Sequence, residues 1–479
     1  MRRTTDLLDG RVLVSNDTGG YAVLDAIDGV RLAERPYELA PSRRDDLEAR
    51  GLLTPLGSAD WSELERAAHR TRKSFLLDGP ALHIFVVTLR CDHSCQYCQV
   101  SRAALTAQGF DMSLTDAEAA LDRVFESPSP TLTIEFQGGE PALRFDLVRH
   151  IVESAVRRNA EAGRTLRFSM VSTLHHLGSD ELAFCREHGI HLSTSIDGPA
   201  QLHDAQRPNP TRDAHARTLE GLARAREVLG GDGVVALPTV TRAALADPIG
   251  LVEHYRALGF RSIFLRPVSP YGFARKTKRV HGYDMDAFVG FYVRALDHIL
   301  NLNAQGEPFE EIYAGILLRH ILTPFHSGYV DLRSPAGAGL GVLVYNYDGQ
   351  VYPSDEARMV AETGDRRLAL GDVQTSLDEL LDSPAMAWLR QGAVAEELPG
   401  CDRCAFVPFC GADPVYHGAI HGDPVGDRAT SEFCAKHMGL FRHLFRSIAD
   451  GDPTTLRTFT AWALGKSRTD IAEPGYVER

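Results

Sequence analysis

From about residue 80 to residue 280, six short apolar runs alternate with stretches of helical periodicity. The runs are 84–88, 132–136, 166–171, 191–196, 234–240 and 262–265. Between them, Leu114, Ala117, Leu121, Val124 and Phe125 share one helical face, and Thr115 with Glu118 reads as a capping box. Phe145, Val148, Ile151, Val152 and Ala155 repeat that period, and Gly163 closes the helix. Continuous apolar strands separated by helices imply a parallel sheet covered by helices. Six such units fit an incomplete α/β barrel. In barrels and open α/β sheets, chemistry gathers at the C-terminal ends of the strands.

A cysteine loop follows the first of these runs. Cys91, Cys95 and Cys98 are spaced C-x3-C-x2-C directly after the apolar segment 84–89. Three close thiolates on one loop can hold three irons of a cubane cluster, which normally takes four cysteines. The fourth iron is then open to a small molecule. Zinc, with His93 among four tetrahedral ligands, is the competing reading of the same residues. No run of 18 apolar residues is present, and the N-terminus leads into no signal-peptide core, so the expectation is a cytosolic protein. There cysteines stay reduced, which directs clustered thiols toward metal or redox chemistry. A net charge of −13 argues against a general nucleic-acid binder.

The second run ends in Gly138, Gly139, Glu140 and Pro141. Two glycines at a strand end allow close backbone approach to a ligand, and the glutamate can accept from an ammonium group. The cysteine spacing and this Gly-Gly-Glu-Pro together resemble the radical S-adenosylmethionine (SAM) superfamily. That resemblance implies a [4Fe–4S] cluster on Cys91, Cys95 and Cys98, with SAM on its open iron. It also implies SAM-contacting roles for Tyr97, Gly138, Gly139, Glu140, Ser195, Arg207 and Leu265. The stretch from Ser195 through Asp197, Gly198 and Pro199 to His203, Asp204 and Arg207 is similar to that of anaerobic sulfatase-maturing enzymes.

Cys401, Cys404, Cys410 and Cys434 form a second set, C-x2-C-x5-C with a distant fourth. Four thiolates complete the ligand set of one [4Fe–4S] cluster, again with zinc as competitor. The pattern resembles the SPASM auxiliary-cluster module. Full SPASM modules hold a second auxiliary cluster, but its places read Ala336, Val342, Ser354 and Pro414 here, so two clusters are expected in all. Cys185 remains, in an apolar helical context that suits a small buried residue. Asp355 follows Ser354, and in sulfatase-maturing enzymes the aspartate at that place accepts the substrate's proton, which suits a positioned carboxylate.

The expected fold is α/β, a partial (β/α)6 barrel over residues 78–280. A small N-terminal α+β unit spans 1–57, a helical linker 281–335, a SPASM-like domain 336–445 and a tail 446–479. The N-terminal runs 11–15 and 21–25 read as a hairpin, followed by a helix over 42–50. This unit resembles the element that captures a leader peptide by strand addition. Segments around Phe264, Tyr352 and Cys410 resemble the His-Xaa-Ser system maturases (the HxsB group). The resemblance implies SAM cleavage and radical modification of a ribosomally made precursor peptide, by oxidation or cross-linking. Flavodoxin or ferredoxin is the implied electron donor, and no nucleic acid or membrane is expected as partner. A formylglycine-generating maturase is the alternative within catalysis, and a zinc-stabilised scaffold the alternative outside it.

Overall fold

The computed structural model describes residues 1–53 and 61–466. The chain divides into two compact units. One combines Leu77–Ala295 with Gly337–Gln391, and the other combines Met1–Leu76, Leu296–Ala336 and Gly392–Arg479. The segment read from sequence as one C-terminal domain is therefore shared, its hairpin in the first unit and its cysteines in the second.

The first unit is built on an eight-stranded sheet. Leu82–Thr88, Thr131–Gly138, Thr165–Val171, Ile190–Ser195 and Val234–Leu237 lie side by side in parallel, in that order. All but the first residue of Leu82–Thr88 are buried, as expected of a strand covered on both faces. Helix Leu114–Glu126 buries Ala117, Leu121 and Val124 of its marked face but leaves Leu114 exposed, helix Phe145–Ala162 buries the face its periodicity marks, and Gly163 takes the left-handed conformation that ends the second helix. The first of them is capped differently from the sequence reading. Ser113 is the N-cap, accepting from the Asp116 N–H at 3.0 Å, and Glu118 instead bonds His150 and Arg158 of the next helix.

Two further differences bear on the site. The sixth expected strand, 262–265, does not join this sheet. Pro238 has no N–H and ends the ladder after Leu237; beyond it Thr239–Val240 pairs in parallel with Arg266–Pro267. The other edge of the sheet is longer than expected. Val342–Tyr345 pairs in parallel with Leu82–Thr88, and Gln350–Tyr352 and Gly371–Asp372 add antiparallel to it. Ser354 and Asp355 follow closely on Gln350–Tyr352 and begin the helix Asp355–Ala361.

The second unit opens with three antiparallel strands, Arg2–Asp6, Arg11–Asn16 and Tyr21–Asp25, one more than the hairpin expected. Helices Ala26–Glu34 and Pro41–Ala49 close a small core of Val14, Ala22, Leu24, Leu32, Leu39, Leu47 and Leu52. Helices Ile312–Leu322, Glu432–Asp450 and Pro453–Leu464 pack together in the same unit. Among the described residues no helix is long and apolar enough to cross a membrane.

Candidate functional site

The loop carrying Cys91, Cys95 and Cys98 leaves the C-terminal end of Leu82–Thr88 and is tied down on both sides. Leu89 N–H donates to Phe110 O at 2.9 Å, and Cys91 N–H to Ala103 O at 3.1 Å. Arg90 grips Asp111 with two bonds of 2.8 Å, and Thr88 Oγ1 donates to the same carboxylate. Gly138 and Gly139 do more than open space for a ligand. A Cβ on Gly138 would lie 2.0 Å from Thr88 O, and one on Gly139 would lie 2.3 Å from Arg90 O. Gly138 also has φ +133°, so only glycine satisfies both demands there. The two glycines let the second strand's end press against the root of the cysteine loop.

One cavity of about 340 Å³ opens at these strand ends. Cys91, Cys95, Cys98, Tyr97, Gly138, Gly139, Ser195, Arg207 and Asp355 all line it. The three thiols are free, and N–H groups are aimed at two of them. The His93 N–H donates to Cys91 Sγ at 3.4 Å, and Arg207 Nη1 lies 4.0 Å from Cys95 Sγ. Burial pushes the Cys95 thiol up to about 12 while Arg207 pulls it down. Such donors suit thiolates ligating a cluster, so the residues fit a [4Fe–4S] group with room beside it for a ligand. A zinc site fits less well. Cys91, Asp92 and His93 bring ligand atoms within 4.8 Å of one another, but the carboxylate and the imidazole are paired with each other at 3.1 Å. Asp92 also accepts from His175 Nδ1 at 2.8 Å and faces His176 Nε2 at 3.3 Å. Burial raises the Asp92 pKa, but these imidazoles outweigh it and hold the carboxyl well below the usual range.

Tyr97 and Arg207 meet through Asp197. Tyr97 Oη donates to Asp197, Arg207 Nε donates to Asp197 Oδ2 at 3.0 Å, and the guanidinium lies 5.3 Å from the Tyr97 ring centre. Two expected ligand contacts are placed elsewhere. Glu140 is fully buried and spends its carboxylate on Ala142 N–H, Ser172 Oγ and Thr173 N–H at 3.0, 2.7 and 2.6 Å. It binds the ends of the second and third strands together and is not among the cavity's lining residues. Leu265 is buried to 1% and likewise does not line the cavity.

Asp355 begins helix Asp355–Ala361, whose N-cap is Ser354, accepting from the Ala357 N–H at 3.2 Å. Arg358, fully buried, donates to Asp355 Oδ1 at 2.9 Å and to Val100 O at 3.3 Å. It holds the carboxylate in the cavity wall and anchors it to the cysteine loop. Glu135, which sequence reasoning passed over, lines the same cavity. Gln137 Nε2 and Ser169 Oγ donate to it, the latter at 3.1 Å. Burial raises its pKa, and the Asp355 charge adds to that. Its alternation with Gln137, immediately before Gly138 and Gly139, is the signal that places its side chain on the cavity face of the strand.

Cys401, Cys404, Cys410 and Cys434 line a second cavity, of about 350 Å³, in the other unit. The first strand of the N-terminal sheet supports their loop. Arg3 Nε donates to Asp402 O at 2.8 Å, and Ala405 N–H donates to Thr5 Oγ1 at 2.9 Å. Burial raises the Cys410 pKa strongly, and Cys401, Cys404 and Cys434 each add to it. His437 faces this cavity but has both ring nitrogens engaged, by Tyr313 Oη at 2.5 Å and Phe433 O at 2.8 Å. Four thiols around a space this large fit a cubane better than one ion about 2.3 Å from each sulfur. The places lacking cysteine are packed: Ala336 lies among Ala393, Ala395, Leu398, Val407 and Ala412, Val342 is buried in its strand, Ser354 caps a helix and Pro414 starts one. Cys185 is fully buried, with its thiol pushed up to about 12 by burial.

Residues 85–249 match the family model described as the Radical SAM superfamily. Over 196 residues the chain is 24% identical to an uncharacterized protein of Methanocaldococcus jannaschii. That match takes in 41% of this chain, and the chain spans 65% of the relative's length. Among solved structures, native anSMEcpe with bound AdoMet superposes with a TM-score of 0.65 at 16% identity, covering 77% of this chain and 98% of that one. Streptococcus suis SuiB bound to precursor peptide SuiA gives 0.52 at 14% identity, covering 91% and 100%. At these identities the likeness is one of fold: an α/β chain with a parallel sheet.

Proposed function

We propose that this chain, whose residues 85–249 form a radical SAM domain, is a maturase that modifies side chains of a ribosomally made precursor peptide. The observation that carries this reading is the convergence of three free thiols, the Gly138–Gly139 turn and Asp355 on one cavity at the strand ends. Cys91, Cys95 and Cys98 would hold a [4Fe–4S] cluster, whose chemistry would be one-electron cleavage of SAM to methionine and the 5′-deoxyadenosyl radical, the electron coming from a donor such as flavodoxin or ferredoxin.

This chain's residues then have separable tasks. Tyr97, Gly138, Gly139, Ser195 and Arg207 surround the SAM subsite. Glu140 and Leu265 act from behind, Glu140 by fixing the strand ends against which SAM rests. Asp355, held by Arg358, accepts the proton that the substrate loses after hydrogen abstraction. Cys401, Cys404, Cys410 and Cys434 would hold an auxiliary cluster, which would accept the electron that the substrate radical gives up on oxidation. The free edge of Tyr21–Asp25, paired on one side only among the described residues, is a place where a leader segment can add as a strand. A His-Xaa-Ser repeat is the proposed target, converted by oxidation or a cross-link.

The test is anaerobic reconstitution, iron and sulfide analysis, and reduction with dithionite in the presence of SAM. About eight irons per chain and release of 5′-deoxyadenosine are expected. Zinc in place of iron, or no 5′-deoxyadenosine, sinks the reading. Co-expression with a peptide bearing His-Xaa-Ser repeats, followed by mass spectrometry, then identifies the modification.

A further inference from the structure

The cavity of the second cysteine set contains one group that neither the motif nor the reaction accounts for. Arg428 lies on the loop between helices Pro414–His421 and Glu432–Asp450 and lines the space between the thiols. Its guanidinium faces Cys401: burial pushes that thiol's pKa up, while the charge of Arg428 and a hydrogen bond from it pull the pKa down. Nε and Nη2 of Arg428 are buried and have no partner among the described residues. The backbone is shaped to bring this residue close. Gly400, just before Cys401, has φ +84°, and a Cβ there would stand 3.4 Å from Arg428 Cβ.

The other cations nearby are committed or solvated. Arg403 also borders the cavity, but its side chain is 90% exposed and lies 3.8 Å from Asp402. Arg442 spends Nε on Asp6 O at 3.2 Å, and its charge reaches Cys404 and Cys434 without its lining the cavity. Buried guanidinium N–H groups without acceptors are costly unless something at the site accepts them. The bridging sulfides of a cubane are acceptors, and hydrogen bonds and positive charge at the sulfurs set a cluster's reduction potential.

We infer that Arg428 is the positioning residue of an auxiliary cluster at Cys401, Cys404, Cys410 and Cys434, donating to its sulfur atoms and favouring its reduced state. This rests on the two-cluster reading above. Adding one electron takes the cubane from its 2+ to its 1+ state; the extra negative charge falls on iron and sulfide, where the guanidinium stabilises it. No bond is made or broken.

The experiment uses the full chain with Cys91, Cys95 and Cys98 all changed to Ala, so that only the auxiliary cluster can load. The reduction midpoint is read by a dithionite titration followed by electron paramagnetic resonance, with Arg428 intact, as Arg428→Gln and as Arg428→Lys. Four irons per chain are expected in all three. Arg428→Gln should lower the reduction equilibrium constant about tenfold, a downward shift of about 59 mV for one electron. Arg428→Lys, which keeps the charge, should recover most of that shift. If Arg428→Gln loads no iron but Arg428→Lys does, the positioning role is supported through occupancy. An unchanged midpoint in Arg428→Gln at full iron content overturns the inference while leaving the auxiliary cluster intact. A parent chain that binds no iron overturns the two-cluster reading and the inference with it.

Discussion

The Arg207 guanidinium lies 4.0 Å from Cys95 Sγ while its Nε is bonded to Asp197 at 3.0 Å. Asp197 is fully buried and also takes the Tyr97 hydroxyl and the Thr239 N–H, the latter at 3.0 Å. One carboxylate therefore fixes the cation beside the cysteine loop and the aromatic ring between two of the cysteines. Removing its charge leaves Arg207 buried and uncompensated, a change that costs about 3–5 kcal/mol. Asp197→Asn is expected to lose about that much stability in urea unfolding of the apoprotein. A loss below about 1 kcal/mol would show that Arg207 is held by other means.

Gly139 is a second point of mechanical dependence. A Cβ there meets backbone oxygens of Leu89 and Arg90 at 2.4 and 2.3 Å, atoms that cannot move without displacing the cysteine loop. Gly139→Ala should therefore reduce iron content at the radical site, leaving about four of about eight irons on the auxiliary set. Metal analysis with circular dichroism checks it. Full iron loading in a folded variant contradicts the proposed contact.

Much of this site was legible because its signals are local. The spacing of Cys91, Cys95 and Cys98, the glycines after the second strand and the Cys401 set each occupy a few consecutive residues. The parallel strands were legible because burial on both faces demands unbroken apolar runs. What escaped depends on distant partners. Glu140 reads as a ligand contact until Ser172 and Thr173, one strand away, are seen to take its carboxylate. The strand Arg2–Asp6 is wholly polar and offers no apolar alternation, and its Arg3 and Thr5 side chains meet the Asp402–Ala405 backbone. The sixth run is a strand at Ser262–Ile263, but its apolar content cannot reveal the break at Pro238, past which Arg266–Pro267 pairs with Thr239–Val240. Arg428 is one arginine in a polar loop, and its relation to Cys401 exists only in three dimensions.

Asp355 can be separated from the chemistry that precedes it. Its carboxylate is fixed by Arg358 Nε at 2.9 Å. Asp355→Asn keeps size and removes the base, so 5′-deoxyadenosine should still form while modified peptide falls about 10²–10⁴-fold. Chromatography of the nucleoside and mass spectrometry of the peptide, run on one reaction mixture, read both. Equal loss of the two products would assign Asp355 to SAM cleavage instead.

Glu135 gives a pH signature that needs no cofactor. Burial raises its folded pKa above the ordinary value of 4.5, and the Asp355 charge raises it further, while Gln137 and Ser169 bonds and the Arg266 charge act in the opposite sense. A carboxyl with a raised folded pKa contributes stability below its unfolded pKa and loses it as pH rises through the folded one. Glu135→Gln stays neutral throughout, so its Tm relative to the parent apoprotein should climb as pH rises above the ordinary value of 4.5. Any fixed cost of the altered bonds to Gln137 and Ser169 shifts that difference by a constant and leaves its slope untouched. Adding Asp355→Asn to both proteins removes one raising influence and should flatten the climb. A difference that is level with pH in the first pair would place Glu135 as an ordinary solvated carboxylate rather than a buried acid of the cavity.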